Sequence, residues 1–463
     1  MAPDQSAGGP WGPSEIPTTA LLTDHYELTM LRAALKAGTA LRPSIFELFP
    51  RRLPTGRRYG VVAGVGRALR ALRAFRFDEE SIRFLLETDV VDRPTADHLA
   101  DYRFTGNIWG YPEGEVYFPY SPLLVVEGSF AECVLLETVL LSIYNHDSAI
   151  ASAASRMIVT AEGRPCIEMG ARRTQELSAV AAARAAYVAG FEATSNLEAG
   201  RRYGVPTTGT AAHSFTLLHN SEEEAFAAQL AALGEDTTLL VDTYDLETAV
   251  RTGVRLTEGR LGAIRLDSGD LGEVAKQMRA LLDELGATRT KIIVTSDLDE
   301  YQIAALSGAP VDGYGVGTAL VTGSGHPTCG FVYKLVARAD TDEPGAPLRA
   351  VAKASTGKVS IGGRKYAMRR LDDRGIATHE VIGIGDPPES DHNDRPLLVP
   401  FVVDGEIVHG EDLTTARERH RAALAELPLQ ARKMSRGEPV IETQWIEPDG
   451  DVVTEASART GLE

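Results

Sequence analysis

Three successive stretches of the chain pair an apolar run with a polar or glycine-rich end. Ala263-Ile264-Arg265-Leu266 leads into Asp267-Ser268-Gly269-Asp270, and Lys291-Ile292-Ile293-Val294 leads into Thr295-Ser296-Asp297. The run after Val311 reaches Gly315-Val316-Gly317-Thr318. If these runs are parallel strands of a (β/α) barrel, their C-terminal ends share the one face where such barrels build active sites. Carboxylates there, such as Asp267, Asp270 and Asp297, can hold Mg²⁺ or stabilise a developing cation. A Gly-x-Gly-Thr segment opening a helix offers backbone N–H groups and a hydroxyl to a phosphate. Gly and Asp are common in any strand-to-helix turn, so a single loop of this kind says little. Three in succession favour a site.

Two further clusters carry chemistry of the same kind. Gly170-Ala171-Arg172-Arg173 follows the run Ile167-Glu168-Met169, and adjacent arginines after a strand can clamp a phosphate or carboxylate. In Gly209-Thr210-Ala211-Ala212-His213-Ser214, small residues let a ligand approach an imidazole able to act as acid, base or nucleophile. Taken singly, the arginine pair is equally a solvated edge and His213 a structural histidine. No HxxxH or HExxH spacing links the other histidines, which speaks against a histidine-based metal site.

The elements that must position these groups repeat as strand then helix. Leu239-Leu240-Val241 ends at Asp242. Leu271, Val274, Met278, Leu281 and Leu285 keep helical spacing up to Gly286, and an alanine-rich helix over 177–189 closes at Gly190. Asp24 with Glu27, and Ser296 with Asp299, have the spacing of capping boxes, the first opening a helix over 28–36 that Gly38 ends. The expected fold class is α/β: an irregular (β/α) barrel over 138–331, joined to a second mixed α/β domain built from both chain ends, 18–137 with 332–440. Residues 1–17, rich in Pro, Gly and Ser, read as a disordered tail, and 441–463 as a polar C-terminal tail.

Composition narrows the class. A chain of 463 residues exceeds one ordinary core. A formal charge of −18 argues against a nucleic-acid surface, while leaving room for a small anion held by local arginines. No apolar segment is long enough to span a bilayer. Cys133, Cys166 and Cys329, odd in number and widely spaced, suggest reduced thiols in the cytoplasm.

Together, Leu21-Leu22-Thr23-Asp24-His25-Tyr26, Gly170 to Arg173, Thr194-Ser195-Asn196, Gly209 to Ser214, Arg265 to Leu271 and Gly315 to Thr322 resemble the nicotinate phosphoribosyltransferase family. The resemblance covers 20–437. It implies an irregular α/β barrel with a second α/β domain, and homodimers with active sites at the subunit interface. It also implies the reaction: nicotinate and 5-phosphoribosyl 1-pyrophosphate give nicotinate mononucleotide and pyrophosphate for NAD biosynthesis. Mg²⁺ assists, and ATP hydrolysis is coupled through a phosphohistidine. His213 matches the histidine phosphorylated by ATP. Tyr26 matches the aromatic that the other subunit stacks on the pyridine ring. Thr210, Arg265 and Arg172 match nicotinate-binding positions, Thr318, Gly317, Ser296 and Asp297 positions lining the phosphoribosyl pyrophosphate, and Asp267 a catalytic carboxylate. Ser195 stands where relatives that take nicotinamide carry Asp, which favours the acid as substrate. Met169 stands where many relatives place an aromatic residue, and its thioether covers a ring less rigidly. A nicotinamide or quinolinate enzyme on the same fold, or a sensor without turnover, is the alternative; Ser195 and the intact His213, Arg265 and Thr318 speak against both.

Overall fold

The computed structural model describes residues 18–343, 345–352, 361–390 and 393–454. It divides into two compact units, Met1–Ser152 with Thr328–Glu463, and Ala153–Pro327, the division falling inside the helix Glu137–Ala161.

The unit Ala153–Pro327 is organised by six short strands: β1 (Cys166–Glu168), β2 (Ala193–Thr194), β3 (Thr238–Leu240), β4 (Ala263–Leu266), β5 (Lys291–Val294) and β6 (Gly313–Val316). They lie in the order β2-β1-β6-β5-β4-β3, and every ladder is parallel. Pairing of the first strand with the last is the closure expected of a (β/α) barrel. No ladder joins β2 to β3, so the barrel is irregular and open at that seam. Pro206–Thr208 instead runs beside β2: Thr194 N donates to Pro206 O, and Thr208 N to Thr194 O, both at 2.9 Å.

Helices return the chain between strands: α1 (Glu176–Val188), then α2 (Leu197–Tyr203), α3 (His213–Leu218) and α4 (Glu222–Leu233) across the open seam. Next come α5 (Leu246–Leu256), α6 (Leu271–Glu284), α7 (Glu300–Ala305) and the single turn α8 (Thr318–Val321). The caps are local side chains satisfying orphan N–H groups. Asp245 accepts from Thr248 N, Asp270 from Glu273 N, and Asp299 from Tyr301 N and Gln302 N. The expected Ser296–Asp299 capping box is therefore replaced: Asp299 is the cap itself, and Ser296 lies three residues upstream with φ 140°.

The other unit carries a seven-stranded antiparallel sheet at its centre. Three adjacent strands from the front of the chain (Pro43–Pro50, Leu124–Ser129, Asn107–Gly110) form its middle, flanked on one side by Phe331–Ala339 and Leu348–Ala350 and on the other by Val399–Val403 and Glu406–Ile407 from the end. A five-stranded sheet follows, and it includes Glu442–Ile446 and Val452–Thr454. Residues 442–454 are thus not the polar tail expected: Ile441, Thr443 and Trp445 alternate inward, and Trp445 is 2% exposed. The 1–17 expectation lies outside the described residues. Buried ion pairs hold this unit together, those of Arg395 and Lys365 joining its end to its front. Arg369 donates to Glu380 (2.8 Å) and to Val116 O, Arg395 holds Glu115 through both terminal nitrogens, and Lys365 reaches Glu47 at 2.9 Å. Breaking such a pair by removing one partner leaves an uncompensated buried charge, at a cost of about 3–5 kcal/mol. The helix His25–Ala37 ends in Gly38 at φ 69°. Its expected capping box does not form, because the Glu27 carboxylate is drawn to Thr138 N, Thr138 Oγ and Thr23 Oγ. Gly60 is required by packing, since a Cβ there would sit 2.1 Å from the Tyr117 ring.

His420, on the helix Leu413–Glu426, is buried against Gly114 O, and burial pushes its imidazole down to about 4. Between pH 6.5 and 4 the unfolded chain binds a proton there that the folded chain refuses, so stability falls as pH falls. The full window is worth about 3 kcal/mol at the usual 1.4 kcal/mol per pH unit. Urea titrations of wild type and His420→Gln at pH 7 and pH 4 should show wild type losing more stability over that interval. Parallel losses would remove His420 as the cause.

Candidate active site

The C-terminal ends of the six strands gather most of the groups singled out by sequence. Alternation along β4 buries Ile264 and Leu266 on the helix side and turns Arg265 to the interior of the sheet. There Arg265 Nη1 donates to Thr210 Oγ at 2.7 Å and to Ala211 O at 3.4 Å, while Nη2 lies 4.0 Å from Asp267 Oδ1. The guanidinium is 15% exposed, and its Nε–H is buried with no partner. A donor in that state is an open contact for an anion, because water no longer reaches it and no protein group satisfies it.

Asp267 is held by Thr295 Oγ, at the end of β5. Gly315 on β6 makes this possible: a Cβ there would lie 2.5 Å from Thr295 Cγ2 and 2.7 Å from Met169 Sδ. Asp242, at the end of β3, ties the next loop in. Its Oδ2 accepts from Asp267 N (3.1 Å) and Ser268 Oγ (2.7 Å), and its Oδ1, buried and without a hydrogen bond, lies 3.9 Å from His213 Nε2. The other ring nitrogen, Nδ1, is 3.1 Å from Thr243 Oγ. His213 opens α3, half-exposed, with its tautomer governed by a hydroxyl on one side and a carboxylate on the other. Thr210, Arg265, Asp267, Asp242 and His213 thus form one connected polar chain across β4, β3 and the segment from the open seam.

A second set of loops is joined by Glu168, the last residue of β1. Its carboxylate accepts from Gly170 N and Thr194 Oγ, and its carbonyl from Ser195 N at 2.9 Å. Burial raises its pKa above the ordinary carboxylate value. One side chain therefore sets both the Gly170–Arg173 turn and the Thr194–Asn196 turn.

The remaining expected residues are placed but not joined to that chain. Arg172 is exposed on its turn. Ser296 and Asp297 are exposed after β5, with the Ser296 backbone in a conformation L residues rarely adopt, a strain that clusters at functional loops. Thr318 is the first residue of α8 and Gly317 its N-cap. Since α8 is a single turn, it carries no useful macrodipole, and phosphate binding there rests on individual N–H groups and the Thr318 hydroxyl. Asp270 is engaged in capping α6. Tyr26 belongs to the other unit, on the first turn of its helix, 43% exposed, with partial burial and then Glu137 raising its phenol. Sequence reasoning gave no role to Asp242, Thr243 and Glu168, and named Thr295 only as part of the polar end of its strand. The signal for Asp242 was present, since β3 ends in Asp as β4 does.

Family models of the nicotinate phosphoribosyltransferase (NAPRTase) N-terminal domain and of the nicotinate phosphoribosyltransferase (NAPRTase) family match residues 21–145 and 165–343. The nicotinate phosphoribosyltransferase pncB1 of Mycobacterium tuberculosis is 55% identical over 443 residues, 94% of this chain and 97% of its own. The chain belongs to the nicotinate phosphoribosyltransferase family. The Bacillus subtilis nicotinate phosphoribosyltransferase is 38% identical over 76% of this chain and 73% of its own. The crystal structure of human nicotinic acid phosphoribosyltransferase aligns with a TM-score of 0.77 at 26% identity, over 91% of this chain and 97% of that one. The irregular barrel with a mixed α/β partner is thus the fold of nicotinate phosphoribosyltransferases. Among the described residues no helix is long and apolar enough to cross a membrane, and the three cysteines are free and buried.

Glu168→Gln tests the joining of the two turns. An amide can accept at only one oxygen, so either Gly170 N–H or the Thr194 hydroxyl loses its partner, at about 1–3 kcal/mol. Denaturant unfolding should show that loss, with amide exchange accelerated at Gly170 and Ser195. Unchanged exchange at both would show that the turns hold without Glu168.

Proposed function

We propose that the protein joins nicotinate to the ribosyl C1 of 5-phosphoribosyl 1-pyrophosphate, with ATP hydrolysis coupled through phosphorylation of His213. The observation that carries this reading is the inward Arg265, anchored by Thr210 with a buried Nε–H left open, on the same polar chain as His213. Arg265 and Thr210 take the nicotinate carboxylate, and Arg172 closes on the same anion. The pyridine nitrogen then forms a bond to C1 as the C1–oxygen bond to pyrophosphate breaks. Asp267 faces the positive charge that develops on the ribose, and Ser296, Asp297, Gly317 and Thr318 receive the phosphates.

Mg²⁺ belongs with the pyrophosphate. Among the described residues no cluster of three carboxylate, thiol or imidazole side chains could hold a metal by itself, a donor set suited to a cation that keeps water and phosphate oxygens. Asp267 and Asp297 are the carboxylates available to it, and the ion would neutralise the leaving pyrophosphate. ATP passes its terminal phosphoryl group to a ring nitrogen of His213, releasing ADP; water later removes it as phosphate. Asp242 and Thr243 orient that ring. As a homodimer, each site would receive Tyr26 from the other subunit, stacked on the pyridine. The alanine-rich, cysteine-poor, acidic chain fits a cytoplasmic enzyme of NAD biosynthesis.

Purified protein with Mg²⁺, phosphoribosyl pyrophosphate and nicotinate should form the mononucleotide, faster with ATP. Nicotinamide and quinolinate should fail. Arg265→Ala should raise the nicotinate Michaelis constant by about thirtyfold or more, the equivalent of ~2 kcal/mol for losing one partner of a buried charge pair. Wild type incubated with γ-labelled ATP should carry an acid-labile, base-stable label that His213→Ala lacks. A label that persists in His213→Ala refutes the phosphohistidine, and an unchanged Michaelis constant removes Arg265 from the site.

The shared site has its own test. Tyr26→Ala and Arg265→Ala, each nearly inactive, are unfolded together, mixed equally and refolded. Random pairing makes about half the dimers mixed, each with one intact site, so about a quarter of sites recover. No recovery, with mixed dimers shown to form, sinks the interface assignment alone.

A further inference from the structure

The interior of the parallel sheet is not filled. A barrel lumen is ordinarily packed with layers of bulky branched side chains. Here the lowest layer is Thr238, Ala263 and Lys291, which stand in register across β3, β4 and β5. None of the three fills the space: two are small, and the third is a lysine at the mouth. Exposure follows the strand alternation. On the helix side Ile264, Leu266, Ile292 and Val294 are 0–1% exposed, whereas Arg265 and Ile293 on the lumen side are only partly buried. The result is a cavity of about 860 Å³, running from the N-terminal mouth of β3–β5 up to Arg265 and Thr210. That is the size of a site for a drug-sized molecule, and far more than a single pyridine carboxylate at Arg265 needs.

The mouth has a definite charge. Arg260, Arg289 and Lys291 line it, against Glu235 and Asp236, in a chain of net charge −18. Arg260 is engaged by Glu235 and Glu258. The surrounding cations are engaged too: Arg251 by Glu247, Arg255 by Glu223, Lys276 by Glu273 and Arg279 by Asp283. Arg289 and Lys291 have no such partner among the described residues, and both are exposed. Above them the wall is apolar, from Ile293 and Ile167. Lys291 lies two residues below Ile293, which is level with Arg265, so the two cationic ends are about 7 Å apart along the strands.

We propose that this lumen is a second binding site, for an aromatic anion whose ring lies against Ile167 and Ile293 and whose acid group pairs with Lys291 and Arg289. An aromatic carboxylate and a nucleoside monophosphate share that chemistry, a flat ring carrying an anion. Because the inner end of the cavity is Arg265, an occupant opposes nicotinate and not phosphoribosyl pyrophosphate. This last consequence rests on the reaction proposed above; the binding itself does not.

Calorimetric titration of the full-length protein with 2-naphthoate, AMP and inorganic phosphate tests the site directly. One or both ring-bearing anions should bind saturably, and phosphate, which has no ring, should not. Binding of 2-naphthoate alone names a carboxylate occupant, and of AMP alone a nucleotide. Lys291→Glu with Arg289→Glu should weaken that binding by about tenfold or more, as should Ala263→Leu, which fills the lowest layer. Turnover and the nicotinate Michaelis constant of the charge-reversed variant should stay within about twofold of wild type, as neither residue touches Arg265. If Ala263→Leu fails to fold, the charge-reversed surface pair decides. Neither probe binding, or binding unchanged in the charge-reversed variant, overturns the proposal. So does loss of binding on Arg265→Ala alone, which would put the probe in the nicotinate position. Should mononucleotide formation be absent while these titrations succeed, the reaction assignment fails and the lumen site stands.

Discussion

The active face depends on a sheet that closes between its first and last strands but stays open between β2 and β3. A ladder at that seam would have sealed the interior, and the chain between the two strands would have had to pass outside it. Instead Pro206–Thr208 lies along β2 and satisfies the Thr194 backbone. The residues that follow are then delivered inward: Thr210 meets Arg265, and His213 comes within reach of Asp242. The open edge would cost unpaired backbone groups; the partial strand offsets that cost, and the same irregularity brings the His213 imidazole to the strand ends.

Much of this was legible in the chain itself, for an identifiable reason. β4 and β5 were read to the residue, because a short apolar run bounded by Gly and Asp has few other uses. α6 was legible from its periodicity and the closing Gly286 at φ 76°. What failed were inferences that depend on which of several polar groups wins a given N–H. Glu27 had the spacing to cap its own helix, yet Thr138, distant in sequence, took its carboxylate. Ser296 had the spacing to cap α7, yet Asp299 did so. The strands after residue 441 were missed because their alternation is short and polar on one side. In the site, Thr210 with Arg265 was legible as two separate motifs. The groups joining the motifs, Asp242 and Glu168, were not, since a carboxylate at a strand end announces nothing about its partner until the neighbouring strands are known.

That joining has an electrostatic logic. A guanidinium at the centre of a sheet needs compensation, but a carboxylate in direct hydrogen-bond contact would occupy the donors that an anionic substrate must use. Arg265 has neither an absent nor a saturated partner. Thr210 and Ala211 take one nitrogen with neutral acceptors, and Asp267 stands 4.0 Å from another, near enough to stabilise the charge without accepting a hydrogen bond. Asp267 is in turn kept off the guanidinium by the Thr295 hydroxyl on its Oδ1 and by its own backbone N–H bonded to Asp242.

The same arrangement reconciles an acidic chain with anionic ligands. At physiological ionic strength the field of exposed charges is screened within about 8 Å, so the −18 of the whole matters less at the site than the few groups inside the sheet. Beside the Arg265 guanidinium, Asp267 is held at the edge of contact, and the open Nε–H is buried, where a charge-assisted bond is strong. Surface acidity then selects by place. An anion would gain little over most of the molecule and more where a cation has an uncommitted donor, as Arg265 has at the inner end of the lumen and Lys291 and Arg289 have at its mouth.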